Sequence, residues 1–339
     1  MIVTFTIAPE DKENLNRLFC GIEYNPYKDY INFKKSISDI IVSAEIPKNI
    51  MNFFNEVKYN RKNDLEKAFL IKNCPIDRDI PIFDHSDPVN DKYLKKKTFI
   101  SEAFLELFSQ LTDNPLLAYD TRNNGDFFHD VYAQDKYGET QTQKSDSELY
   151  LHNDRTAHPV RADYLSLLGM RSSSENSILT SYIDGKDVLK YISKEHQDIL
   201  RKPYYYTPYD EYSRDSNKNQ LDSDPHSILS ENYSLRYYET RTIPIKTAQS
   251  EVVDAYISFR NAIIKAKKRS VDIQVGDLFT FPNQFGLHSR TFVNIRNKNL
   301  AKKRWLLKTY SFRDTDYMKK FSKTFNDIDG FVIDSLAFE

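Results

Sequence analysis

The chain has 339 residues, enough for one large domain or two small ones. Its formal net charge of −1 gives no bulk attraction to nucleic acid or to an anionic membrane. Two cysteines, Cys20 and Cys74, are too few for a disulfide framework or a cysteine zinc cluster, and 8 glycines with no GxGxxG or GxxxxGK[ST] run exclude the common phosphate-binding loops.

The opening "MIVTFTI" alternates and reads as a strand, and "PEDKENLNRLFCGI" as a helix with acids in its first turn. No basic segment leads into a long apolar core here, so no secretory signal is expected. "KKSISDIIVSAEIPKNIMNFFNEV" has helical spacing of its apolar residues. "AFLIKNCPID" reads as a buried strand ending at Pro75, and "KTFISEAFLELFSQLTD" as a second amphipathic helix. From about Gly125 the pattern turns to β, in "DFFHDVYAQ", "SELYLHND", "YLSLLGMR", "NSILTSYID", "SLRYYETRTI", "DIQVGDLFTF" and "RWLLKTYSFR". Many short strands with irregular connections predict a sandwich or open barrel, with the N-terminal helices packed against it.

Two segments interrupt that run. "GKDVLKYISKEHQDILRK" reads as a helix, and "PYYYTPYDEYSRDSNKNQLDSDPHSI" is long, polar, tyrosine-rich and without period, as lids are. No linker divides the chain, so a single domain over 1–339 is expected, with a helix end and lid insertion over about 196–228. No window approaches about 18 apolar residues, and the expectation is a cytoplasmic protein with no membrane or nucleic-acid partner. A homo-oligomer is left open.

Three His-x-Asp pairs occur, His85/Asp87, His152/Asp154 and His196/Asp198, where about one is expected by chance, so spacing alone does not single one out. His85 lies in a polar loop before Pro88, and the bland reading is a turn. His196 lies on the expected helix, where residues two apart point about 200° apart and do not converge on one ion. His152 follows the strand "SELYL", where i and i+2 project from the same face. Two imidazoles and one carboxylate with open positions suit non-haem Fe(II). His129, His158, His226 and His288 remain as the third ligand. His288, in "GDLFTFPNQFGLHSR" after the Gly276-Asp277 turn, is the best placed.

"LHNDRTAHPVRADYLSLLGMR", "GDLFTFPNQFGLHSR" and "KKRWLLKTYSFRD" together resemble the clavaminate-synthase-like Fe(II)/2-oxoglutarate dioxygenases, a branch that includes hydroxylases of free arginine, asparagine and lysine. The resemblance runs from about Ala68 to Asp314. It departs from the family pattern in Asn153, where a hydroxyl residue is usual, and in a slightly longer loop between His288 and Arg304. It implies an α+β, mainly β fold: a double-stranded β-helix (jelly-roll, cupin-like) core with flanking N-terminal helices and a lid insertion. It also implies His152, Asp154 and His288 as iron ligands, and O₂ and 2-oxoglutarate as co-substrates. Arg304 would grip the distal carboxylate of 2-oxoglutarate, with Thr180 hydrogen-bonding the same molecule. A guanidinium is a planar fork that matches a carboxylate and stays charged when desolvated.

Arg304 and Lys308 stand an even number of residues apart on an expected strand and so share a face. By resemblance Lys308 meets the substrate α-carboxylate, and His129 with Asp154 meets the α-amine. The implied reaction is hydroxylation of an unactivated carbon of a free basic L-amino acid. Lysine comes first, at C4 ahead of C3, with Glu239, Asp222 or Asp224 neutralising its ammonium. In halogenating relatives the ligand carboxylate is replaced by Gly or Ala, so Asp154 favours hydroxylation. Arginine, a carrier-bound residue, a taurine-type small acid, or a metal-binding jelly-roll without turnover are the alternatives.

Overall fold

The computed structural model describes residues 2–43, 46–216, 222–230, 232–327 and 332–333. Mixed α/β and rich in strands, it has helices concentrated towards the N-terminus. The run expected as one helical stretch is two helices, Tyr30–Val42 and Lys48–Lys62. Pro47 stands at the N-cap of the second, where its missing N–H costs nothing. Asp29 caps the first by accepting from Asn32 N at 3.1 Å. These helices and Ile100–Thr112 bury Phe33, Ile37, Phe54, Val57, Phe104 and Leu107 in one apolar cluster against the outer face of the larger sheet.

That sheet runs, by its first residues, in the order Val3, Phe69, Leu278, Tyr164, Trp305, Leu116, Val332, Phe325, with His129–Val131 also pairing the Trp305–Ser311 strand. The smaller sheet has four strands, in the order Lys268–Asp272, Asn176–Asp184, Gly286–Ile295, Leu149–His152. The two sheets share a cluster in which Leu165, Leu167, Phe279, Phe281 and Leu306 of the larger meet Tyr182 and Val271 of the smaller. On the smaller sheet alternation sorts the faces. Leu151, Ile183 and Leu287 pack outward against Val252, Ala255, Phe259 and Ile263 of the helix Ser250–Lys265. Their neighbours His152, Tyr182 and His288 therefore face the space between the sheets.

Several elements differ from expectation. "SLRYYETRTI" alternates like a strand, but apart from its last residue, Ile243, which pairs with Tyr206, it forms isolated bridges, Leu235 with Leu229 and Tyr238 with His152. Its backbone groups are taken by neighbouring loops: Leu235 N donates to Gln284 O at 2.7 Å and Glu239 N to Leu151 O at 2.9 Å. "GKDVLKYISKEHQDILRK" is two short helices, Gly185–Leu189 and Lys194–Leu200. Within the expected lid, Tyr205–Tyr206 is a short strand and Glu211–Ser216 a helix, while 217–221 lie outside the described residues. The helix Ser250–Lys265 was not anticipated. No helix among the described residues is long and apolar enough to cross a membrane.

Candidate active site

His152 ends its strand and pairs in register with His288 on the neighbouring strand, which puts the two rings 4.1 Å apart between centroids. On its other side the His288 strand, which starts at Gly286, packs closely on the strand Asn176–Asp184: a Cβ at Gly286 would lie 2.4 Å from Ile183 O. Asp154 is not on the strand. It stands in the turn beyond, just before Arg155 at φ 59°, so His152 and Asp154 converge through a turn and not by strand alternation.

Asn153 and Asn283 make that turn. Asn153 Nδ2 donates to the carbonyls of Asn283 and Gly286, and its Oδ1 accepts from Tyr237 N at 2.8 Å. Asn283 Oδ1 accepts from Asp154 N at 2.7 Å, and its Nδ2 donates to Asp154 O at 3.1 Å. An amide has both donors and acceptors, so at position 153 it ties three segments where a hydroxyl offers a single donor. The nearby "HPVRADY" run is also architectural. Asp163, fully buried, takes Arg313 Nη2 at 2.8 Å and Gln284 Nε2 at 3.1 Å.

One ligand atom each from His152, Asp154 and His288 lies within 4.8 Å of the others. Asp154 Oδ1 is 3.3 Å from His152 Nε2 and 3.5 Å from His288 Nε2. His152 Nδ1 sits 2.7 Å from Tyr150 O, and a carbonyl only accepts, so Nδ1 carries a proton and Nε2 is the ring atom that faces Asp154. Burial first, and then His152, push His288 down to about 4 against the pull of Asp154, so its imidazole is neutral at pH 7. Burial alone would raise Asp154. Lys308 and the two histidines outweigh it and hold the carboxyl well below the usual range.

Two cavities flank this cluster. One is lined by Thr180, Arg290, Arg304, Leu306 and Lys308 as well as by the three clustered side chains, so the residues expected to hold 2-oxoglutarate are brought together. Arg304 Nη2 is buried with no hydrogen-bond partner among the described residues, and burial followed by Arg290 pushes its guanidinium down to about 9. Arg290 is committed elsewhere. Its Nε donates to Ser147 O at 2.9 Å, and its Nη2 to Ser145 O at 2.9 Å and Ser145 Oγ at 2.7 Å. The second cavity is lined on its far side by Arg122, Arg155, Tyr209, Asp210 and Tyr212.

The expected substrate residues fare differently. Lys308 borders the first cavity, but its Nζ is bonded to Asp154 Oδ2 at 2.6 Å, to Tyr310 OH at 2.8 Å and to Gln143 Oε1. His129 is fully buried opposite Lys308, lines neither cavity, and has no hydrogen-bond partner on either ring nitrogen among the described residues. Glu239 accepts from Leu151 N at 3.1 Å and serves the His152 strand. Asp222 and Asp224 are exposed and line neither cavity. The other two His-x-Asp pairs have ordinary roles. Asp87 caps the helix Pro88–Lys95, and Asp198 pairs with Lys194 at 2.8 Å. Arg122, Arg155 and Asp210, which sequence reading missed, come from three separate segments, so no local spacing announces them.

No family model matches the chain. A curated relative, the L-lysine 3-hydroxylase of Catenulispora acidiphila, is 23% identical over 172 residues. The match covers 50% of this chain and 46% of that protein, so the chain spans about half the length of the curated relative it matches. Among solved structures, an asparagine oxygenase in complex with Fe(II), 3-hydroxyasparagine and succinate has a TM-score of 0.78 at 17% identity, covering 98% of this chain and 99% of its own. The non-heme iron oxygenase OrfP in complex with Fe, succinate and (3S)-hydroxy-L-Arg has a TM-score of 0.77 at 18% identity, covering 97% and 99%. The fold is that of the non-heme iron oxygenases. Within this oxygenase fold, the His152–Asp154–His288 cluster lies between the two cavities.

Proposed function

We propose that the protein is an Fe(II)- and 2-oxoglutarate-dependent hydroxylase of a free L-amino acid, and that its two facing sheets are the halves of a double-stranded β-helix. The observation that carries this is the donor set. Two imidazoles and one carboxylate, with one ligand atom of each within 4.8 Å of the others, suit Fe(II). Beside them is a buried guanidinium with an unused N–H.

His152 Nε2, Asp154 and His288 Nε2 would hold the metal, and Arg304 with Thr180 would hold the distal carboxylate of 2-oxoglutarate. Bound iron supplies the oxygen chemistry, in which 2-oxoglutarate and O₂ give succinate and CO₂ and one oxygen atom enters a C–H bond of the amino acid. The chain's part is positioning and exclusion of water. Tyr150 O and Asn153 fix the first two donors, and Lys308 and Tyr310 hold Asp154 Oδ2. The segment carrying Tyr209, Asp210 and Tyr212 covers the second cavity, where the amino acid would lie.

Lysine, first by resemblance, is supported by the likeness to a lysine 3-hydroxylase, which favours C3 over C4. The hydroxyarginine bound to OrfP speaks for arginine. The acids expected to hold a side-chain cation are not in the cavity, so the geometry supports the free amino acid more firmly than the basic one. The test is a screen of free amino acids with Fe(II), 2-oxoglutarate and O₂, reading succinate and a product heavier by one oxygen. Silence across the panel rejects this reading.

A further inference from the structure

Three charged side chains line the second cavity besides Asp154: Arg122, Arg155 and Asp210. Arg122 and Arg155 are 5% and 8% exposed. Arg122 Nη1 and Arg155 Nε and Nη2 have no hydrogen-bond partner among the described residues. Arg155 packs its guanidinium over the Tyr119 ring at 4.3 Å and Arg122 over the Tyr212 ring at 4.2 Å. Aromatic faces on one side leave the N–H edges for something else. Arg122 Nη2 reaches Asp210 Oδ1 at 3.6 Å and also bonds Ser213, while no ion pair joins Arg155 to any described carboxylate. A buried guanidinium with unused donors is costly unless an anion meets it.

We propose that this cavity selects an amino acid whose side chain itself ends in a carboxylate, with Arg122 and Arg155 as specificity-determining residues. This rests on the hydroxylase reading and names its substrate class. Two guanidinia and one carboxylate are the mirror image of a dicarboxylic amino acid, which brings two carboxylates and one ammonium. Asp210 meets the ammonium and shares Arg122, and Arg155 grips the second carboxylate through its free edge. Lysine reverses the match, bringing two ammonium groups to one carboxylate and one carboxylate to two guanidinia. A neutral side chain leaves Arg155 unpaired. Position 155 is well suited to discriminate, because it directly follows Asp154 in a turn whose backbone Asn153 and Asn283 hold in place.

The experiment measures, by calorimetry under anaerobic conditions on the Fe(II)- and 2-oxoglutarate-loaded protein, the affinities for L-glutamate, L-aspartate, L-glutamine and L-lysine. Succinate formation is followed for the same panel in air. Glutamate or aspartate is expected to bind at least tenfold more tightly than glutamine, and glutamine no worse than lysine. Arg155→Gln should collapse the acid-to-amide ratio towards one while Arg155→Lys retains part of it, a change in ratio that a general loss of folding does not produce. Lysine binding and turning over better than glutamate overturns this inference and leaves the hydroxylase reading standing. So does a ratio that Arg155→Gln leaves unchanged. No binding and no succinate with any of the four overturns this inference, and silence across the wider screen of free amino acids as well overturns both.

Discussion

At the scale of single residues, the cluster assigns different work to side chains that look alike in the sequence. His85 Nδ1 lies 2.8 Å from Ala133 O and its ring stacks on Tyr132, whereas His152 Nε2 faces Asp154. His152→Ala is therefore expected to abolish stoichiometric Fe(II) binding, measured as metal retained after desalting, while His85→Ala retains it. A His152→Ala variant with full iron content would contradict the assignment. Arg290 and Arg304 separate in the same way. The first spends its donors on Ser145 and Ser147, and the second keeps one for a ligand. Losing one partner of a desolvated guanidinium–carboxylate pair costs about 3–5 kcal/mol, so Arg304→Ala should raise the apparent constant for 2-oxoglutarate by about two orders of magnitude or more. Steady-state kinetics against 2-oxoglutarate checks it, and an unchanged constant speaks against that role.

At the scale of elements, the helix Ile100–Thr112 shows how the chain outside the site is secured. Its N-cap residue, Phe99, makes no side-chain cap. Asp77 substitutes from another loop, accepting from Ile100 N at 3.1 Å and Ser101 Oγ at 2.7 Å while pairing with Lys96 at 2.7 Å. Burial works against the charged form of Asp77, but Lys96 and these hydrogen bonds outweigh it and keep the carboxyl below its ordinary value. A carboxyl lowered in the folded state adds stability that is complete above about pH 4, its unfolded value, and is lost as pH falls through the folded one. Asp77→Asn should thus cost about 2–3 kcal/mol at pH 7 in urea denaturation, and the gap from the parent should narrow below about pH 4. A gap that is constant with pH would refute the ionic part of the account.

Legibility in the sequence also divides by element. The strands around His152, Thr180 and Lys308 could be read because each is a short run rich in apolar, β-branched or aromatic residues. The helix Ser250–Lys265 had a signal that sequence reading passed over, since Val252, Ala255, Tyr256, Phe259, Ala262 and Ile263 follow helical spacing. "SLRYYETRTI" misled because alternation reports burial, while pairing depends on which backbone groups the loops take. The metal-type cluster could be read from three quoted runs. The lining of the second cavity could not, because Arg122, Arg155 and Asp210 meet only through tertiary structure.

At the scale of the whole molecule, the site joins the two sheets. His152 and His288 belong to the smaller and Lys308 to the larger, and Asp154 in the turn contacts both. Ligands that fill such a junction bind the folded state alone, and at about a hundred times their dissociation constant they add about 2.7 kcal/mol. Fe(II) with 2-oxoglutarate should accordingly raise Tm by a few degrees, read by anaerobic thermal denaturation, and His288→Ala should remove the shift. An equal shift in that variant would place the ligands elsewhere.

On the proposed function, one iron would sit among His152, Asp154 and His288 with 2-oxoglutarate beside Arg304. The most direct measurement is anomalous diffraction at the iron edge from crystals grown anaerobically with Fe(II) and 2-oxoglutarate. One strong peak is expected, bonded to His152 Nε2, an Asp154 carboxylate oxygen and His288 Nε2, with the co-substrate's distal carboxylate on the Arg304 guanidinium. A peak at any other residues, or none at full iron loading, would contradict it.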